Sequence, residues 1–178
     1  MQEIKAREIG IEVAAGAKLH VMDSIAGFVG GDHTAMLLGI RADLEKRTVI
    51  ALDIGTNTEI SLIHQGQIFS LSSPSGPALE GGNITHGMRA AEGAIEKVQI
   101  AGDKVQLTTV GNKPAIGICG SGVLDIVAEF YQIGVINFRG FIDKNAPHVL
   151  QQGKEFSLLL NKDNLVFTQA DIRNVQLA

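Results

Sequence analysis

Between residues 47 and 72 three apolar stretches, RTVIALDIG, EISLIH and QIFSLS, follow one another with only a few polar residues at each join. Strand-length apolar runs bounded by turn residues read as strands, and joins too short for a crossover helix force neighbours to run antiparallel. The segment is expected to fold as a three-stranded antiparallel meander, its second join made by Gln65 and Gly66. The first join is chemically different. There the run from Val49 to Leu52 meets Asp53, Gly55, Thr56, Asn57 and Glu59 before apolar character returns at Ile60. A bare β-turn uses glycine or asparagine but has no need of carboxylates on both sides of a threonine. Either the acids face solvent or a polar ligand sits at this turn.

Around the meander the pattern alternates between strand and helix. Residues 2–9 carry a helical charge pattern, 18–24 (KLHVMDS) read as a strand, and 25–38 are small and apolar at helical spacing. Residues 72–88 read as a loop opening into a short helical piece capped by Ser75 or Asn83, and 105–110 alternate as a strand. AIGICGSGVLDIVAEFYQIGVI reads as strand, glycine turn and amphipathic helix, with Val123, Leu124, Ile126, Val127 and Phe130 mostly on one side. A weakly structured loop is expected over 137–153, then a hairpin through 162–164. Last comes a helix opened by a Thr168 cap with Asp171 in its first turn.

With 178 residues and 45% apolar side chains, the chain can bury a real core. No apolar run reaches the roughly 18 residues of a membrane helix, so no membrane association is expected and the setting reads as soluble and cytoplasmic. Fifteen basic residues are scattered with one Tyr and no Trp, which leaves nucleic-acid binding unsupported. A single cysteine, Cys119, excludes an internal disulfide and a thiolate-ligated cluster held by this chain alone. Its apolar neighbours Ile116 and Ile118 favour a buried structural thiol. The five histidines show no i, i+4 pairing that would suggest a metal site.

Chemistry concentrates at two junctions. The amides of Gly55, Thr56 and Asn57 can point into one cavity and make an anion nest without lysine. Asp53 beside such a nest makes sense if it holds Mg²⁺ through water, with Glu59 orienting a water or completing the metal shell. At GICGSG the amides of Gly120, Ser121 and Gly122 open a helix, where the dipole favours anions; close helix-on-sheet packing explains these glycines equally well.

DIGTNTE, SGPALEGGNITHGMRAAEGAI, GICGSGVLD and TQADIRNVQLA, in this order, with IAGFVGGD near the start, resemble the actin-like ATPase (ASKHA) domain of the reductive activators of corrinoid proteins. The resemblance implies an α/β, RNase H-like lobe with a mixed sheet and flanking helices. Residues 1–46 would contribute helix, strand and helix to the ATPase-like core, and 47–178 would form the second lobe, cut short at its C-terminal side. It further implies ATP and Mg²⁺ as cofactors, with Asp53 and Glu59 catalytic, Asp53 near the metal, and Gly55, Thr56, Asn57, Gly120, Ser121 and Gly122 on the nucleotide. In that family ATP hydrolysis drives reduction of Co(II) corrinoid to Co(I), and the electron passes through an iron–sulfur cluster held elsewhere in the polypeptide. A corrinoid protein is the implied partner; a homodimer stays open. The chain departs from the usual family form at Thr58, where glycine is usual, at Ser75 (alanine) and at Leu79 (phenylalanine). On the residues alone two rivals stand: a small-molecule kinase of the same superfamily with Glu80 or Asp125 as base, and a non-enzymatic docking module for the corrinoid partner.

Overall fold

The computed structural model describes residues 2–41, 47–102 and 104–178. It divides into two compact units, Met1–Ser73 and Pro74–Ala178.

In the first unit, β1 (Gln2–Lys5) pairs antiparallel with β2 (Lys18–Val21), and a single 3-10 turn over Ala6–Ile9 follows β1. The helix expected over 2–9 is therefore absent. The charges that suggested it act across the strand pair instead: Lys18 Nζ lies 2.5 Å and His20 Nε2 3.6 Å from the Glu3 carboxylate. The helix expected over 25–38 also shortens, to α1 at Gly31–Gly39. Upstream of it the Ile25 amide donates forward to Val29 O at 2.9 Å and Ala26 bridges antiparallel to Val29, a reversal of the chain that is incompatible with a helix there.

The meander forms as expected, with β3 (Val49–Ile54), β4 (Asn57–His64) and β5 (Gln67–Pro74) in spatial order β3-β4-β5. Its register sets Val49 opposite Ile63, Ala51 opposite Ser61 and Asp53 opposite Glu59. Directly opposed residues share a face, so these six line one side of the sheet. Leu37 of α1 buries against Ala51 and Ile63 there, forming a small core. The other side carries Ile50, Leu52 and Ile54, all exposed, Ile50 by 65%.

In the second unit, β6 (Ala94–Ala101) pairs antiparallel with β7 (Lys104–Thr109) and parallel with the two-residue β8 (Gly117–Ile118). Sequence periodicity missed β6, because a bulge between Ile95 and Lys97 breaks its alternation. The helix α2 (Gly120–Gln132) buries Val123, Ile126 and Phe130 in the core that also holds Ile95 and Val98 of β6. Gly120 and Gly122 lie inside its first turn, so the separate glycine turn expected before the helix does not exist. Beyond the short β8, the β6 amides of Val98 and Ile100 donate to Asp125 Oδ2 at 3.0 Å and Glu129 Oε2 at 2.7 Å.

The expected loop over 137–153 ends in a strand, β9 (Val149–Gln152), whose partner is β10 (Glu155–Leu159). β10 in turn forms the expected hairpin with β11 (Val166–Thr168). The final helix α3 (Gln169–Leu177) starts with a full capping box: Thr168 Oγ1 accepts the Asp171 amide, and Asp171 accepts the Thr168 amide. Residues 77–80 form a 3-10 turn whose N-cap is Gly76, with no side-chain cap, so neither Ser75 nor Asn83 takes the expected role. Among the described residues no helix is long and apolar enough to cross a membrane.

Candidate functional site

The tip of the β3–β4 hairpin brings five of the candidate residues together within the first unit. Asp53 and Glu59 are cross-strand partners and both half-buried, while Thr56 and Asn57 are exposed at the tip. Two like-charged side chains facing each other on one side of a sheet are unfavourable unless something positive is shared between them. Glu59 is held in place: Ser72 Oγ of β5 donates to its Oε1 at 3.0 Å. One residue pair further along the same face, Ser61 Oγ lies 2.6 Å from Ser70 Oγ and 2.7 Å from His33 Nε2. His33 and Ser61 are fully buried, and His33 Nδ1 has no partner. A polar seam thus runs inward from the acidic turn. Reading the turn alone missed Ser61, Ser70, Ser72 and His33. The available signal was the spacing of Ser70 and Ser72, two residues apart and therefore on one face of their strand.

The other candidates lie in the second unit. Ser121 is exposed at the first turn of α2, Gly120 is half-buried and Gly122 buried. A Cβ at Gly120 would collide with Leu79 O, and one at Gly122 with Ile95 O. Close packing therefore accounts for both glycines whatever else they do. Gly120 and Ser121 also line an open cavity of about 690 Å³ with Glu80, Gly81, Arg89 and Cys119. Cys119 is 3% exposed and its thiol donates to Ile95 O at 3.2 Å, as suits a packing residue. Of the two candidate bases of the kinase reading, Asp125 accepts the Val98 amide through Oδ2 and Glu80 lines this cavity.

Asp53 and Glu59 suit a hydrated magnesium ion. That ion takes one or two carboxylates and fills its remaining positions with water and substrate phosphate, so it needs no all-protein cage. No cluster of three or more His, Cys, Asp or Glu side chains able to hold a metal occurs among the described residues.

Residues 47–178 match the family described as the C-terminal domain of RACo, the ASKHA domain. Over 98% of its length the chain is 34% identical to the corrinoid activation enzyme RamQ of Eubacterium limosum, of which it spans 32%. A reductase of Methanosarcina barkeri, named for the Co(II) methylated amine-specific corrinoid protein, is 26% identical over 71% of this chain and 28% of its own length. Among solved structures, a reductive activator for corrinoid, iron-sulfur protein superposes with a TM-score of 0.81 at 34% identity, covering 97% of this chain and 29% of that one. The chain spans about a third of the length of these relatives. The acidic hairpin, the cavity at α2 and the capped helix α3 all fall within the matched segment, and the chain belongs to the ASKHA-domain family of the corrinoid reductive activators.

Proposed function

We propose that this chain is the nucleotide-handling part of a cytoplasmic, ATP-dependent reductive activator that helps return a Co(II) corrinoid protein to Co(I). The observation that carries the reading is the pairing of Asp53 with Glu59 across the β3–β4 hairpin, directly below a Gly55-Thr56-Asn57 tip. In this reading the lobe over 47–178 binds nucleotide and residues 1–46 complete the core around it.

The tip amides and the Thr56 hydroxyl cradle phosphate oxygens. Asp53 would hold a hydrated Mg²⁺ through its carboxylate, and such an ion would supply positive charge against the phosphates. Glu59, pinned by Ser72, orients a water toward the terminal phosphate. In the second unit, the first turn of α2 at Gly120, Ser121 and Gly122 is a separate candidate for anion binding through its amides. An iron–sulfur cluster belongs outside this chain, since its one thiol is buried and bonded to a carbonyl. Coupling requires only that nucleotide has different affinity for two conformations of the whole activator.

Titration calorimetry with Mg·ATP tests the site directly. Weak binding that disappears on chelation of Mg²⁺ is expected. Asp53→Asn removes the charge facing the metal shell and should abolish the Mg²⁺-dependent part with little change in melting temperature. Thr56→Val should weaken binding by about 0.5–1.5 kcal/mol, one neutral hydrogen bond. Equal Mg·ATP affinity in wild type and Asp53→Asn would remove the basis of this reading.

A further inference from the structure

Asp53 and Glu59 stand opposite each other on one face of the β3–β4 pair. A glutamate facing a like charge swings away when nothing holds it, because several side-chain torsions give it room to do so. Ser72 opposes this movement: from the neighbouring strand β5 its hydroxyl donates to Glu59 Oε1 at 3.0 Å. Both residues are half-buried, so water competes less for that hydrogen bond than it would at an exposed site. Among the described residues neither Glu59 Oε2 nor the Asp53 carboxylate has a hydrogen-bond or ion-pair partner. One oxygen of Glu59 is thus held, and the other is left to act beside Asp53.

Ser72 stands on a strand that is itself tied down. Ser70, two residues earlier on the same face of β5, lies 2.6 Å from Ser61 of β4 between hydroxyl oxygens, and Ser61 lies 2.7 Å from Nε2 of the buried His33. The seam fastens β5 to β4 beside the residue that grips Glu59, and its far end is on α1. His33 precedes the segment that matches the family domain, residues 47–178, so the chain before that segment supports the geometry of the acidic turn. A glutamate gives up much rotamer freedom when it is fixed, and one fixed before its ligand arrives does not lose that freedom on binding. A hydroxyl that orients a carboxylate without touching the ligand supplies this order.

We propose that Ser72 is a positioning residue for Glu59: its hydroxyl holds Oε1 and leaves Oε2 to serve the water or hydrated cation shared with Asp53. The proposal rests on the reading of the hairpin as a Mg·ATP site.

Two measurements on the full chain test it. In the metal-free protein, scalar couplings across the Glu59 χ1 torsion should report one rotamer in wild type and in Ser72→Thr, which keeps the hydroxyl. Ser72→Ala should show averaging at an unaltered melting temperature. Averaging in wild type overturns the proposal whatever the chain binds. In calorimetry with Mg·ATP, Ser72→Ala should weaken the Mg²⁺-dependent affinity by about two- to tenfold, the worth of one hydrogen bond. Ser72→Thr should restore it, and in a Glu59→Ala background Ser72→Ala should change nothing further. Equal loss in both backgrounds means that Ser72 does not act through Glu59, and a loss in Ser72→Thr as large as in Ser72→Ala makes its role one of packing. Either result, or unchanged affinity in Ser72→Ala, overturns the positioning role and leaves the functional reading standing. A wild-type chain with one Glu59 rotamer and no Mg²⁺-dependent ATP binding overturns that reading, and the role of Ser72 with it.

Discussion

Gly122→Ala separates the two roles open to the glycines of GICGSG, because helix propensity and the surrounding structure predict opposite signs. Inside a helix, alanine is favoured over glycine by about 1 kcal/mol. Here a Cβ would lie closer than 3.0 Å to Ile95 O, 3.0 Å from the Ile95 carbonyl carbon and 3.2 Å from Ile118 Cγ2. Ile95 belongs to the central strand β6, and its carbonyl already accepts the Cys119 amide at 3.1 Å and the Cys119 thiol at 3.2 Å. Ile118 is fully buried. Relief therefore means moving α2 away from β6, at about 1–3 kcal/mol of overpacking strain, and loosening two hydrogen bonds worth about 0.5–1.5 kcal/mol each. After the propensity gain is subtracted, a net loss of about 1–5 kcal/mol follows from these same terms. The readout is built in: Tyr131, on α2, is the chain's one tyrosine and there is no tryptophan, so intrinsic fluorescence reports the second unit. Urea titration should show a lower midpoint at unchanged slope. Ser121→Ala, at the exposed neighbouring position, should stay within about 0.5 kcal/mol of wild type. A Gly122→Ala protein as stable as wild type would refute the packing argument and leave ligand contact as the remaining reason for this glycine.

Two further substitutions probe buried polar groups. Asp171 is 1% exposed and accepts the Thr85 amide at 2.8 Å, the Thr85 hydroxyl at 3.1 Å and the Thr168 amide at 2.8 Å. Asp171→Ala orphans both amides and should cost about 3–5 kcal/mol in urea unfolding, against about 1 kcal/mol for Thr168→Ala, which removes only the cap; equal losses would refute the clamp. Ser61→Ala leaves both ring nitrogens of the buried His33 without a partner and should cost about 1–3 kcal/mol, seen as faster hydrogen exchange of the β4 amides. Unchanged exchange would show that the seam does not stabilise the sheet.

What could be read in advance was local. The meander announced itself because its strands, turns and alternation are contiguous in the chain, and the Thr168 cap because its partner lies three residues away. Charges at positions 2–9 misled, since their partners at 18 and 20 meet them only through strand pairing. β6 was hidden by its bulge. At the hairpin, the residue types pointed to phosphate and metal chemistry, but the direct opposition of Asp53 and Glu59 depends on register. Ser72's hold on Glu59 depends on β5 lying beside β4. Gln169 and Arg173 of α3 bond to the backbone of loop 136–142, some 30 positions away, and no short-range pattern encodes this.

The carboxylates of Asp125 and Glu129 close the part of the β6 edge that the two-residue β8 leaves open. A strand from another molecule approaching that edge would find its amides taken and two negative charges in its path. Open edges of this kind are where globular proteins begin to stack into fibrils. Two acids one helical turn apart on α2 thus guard the unit against cross-β growth without lengthening the sheet, a protection that substitution with leucine at both positions would surrender.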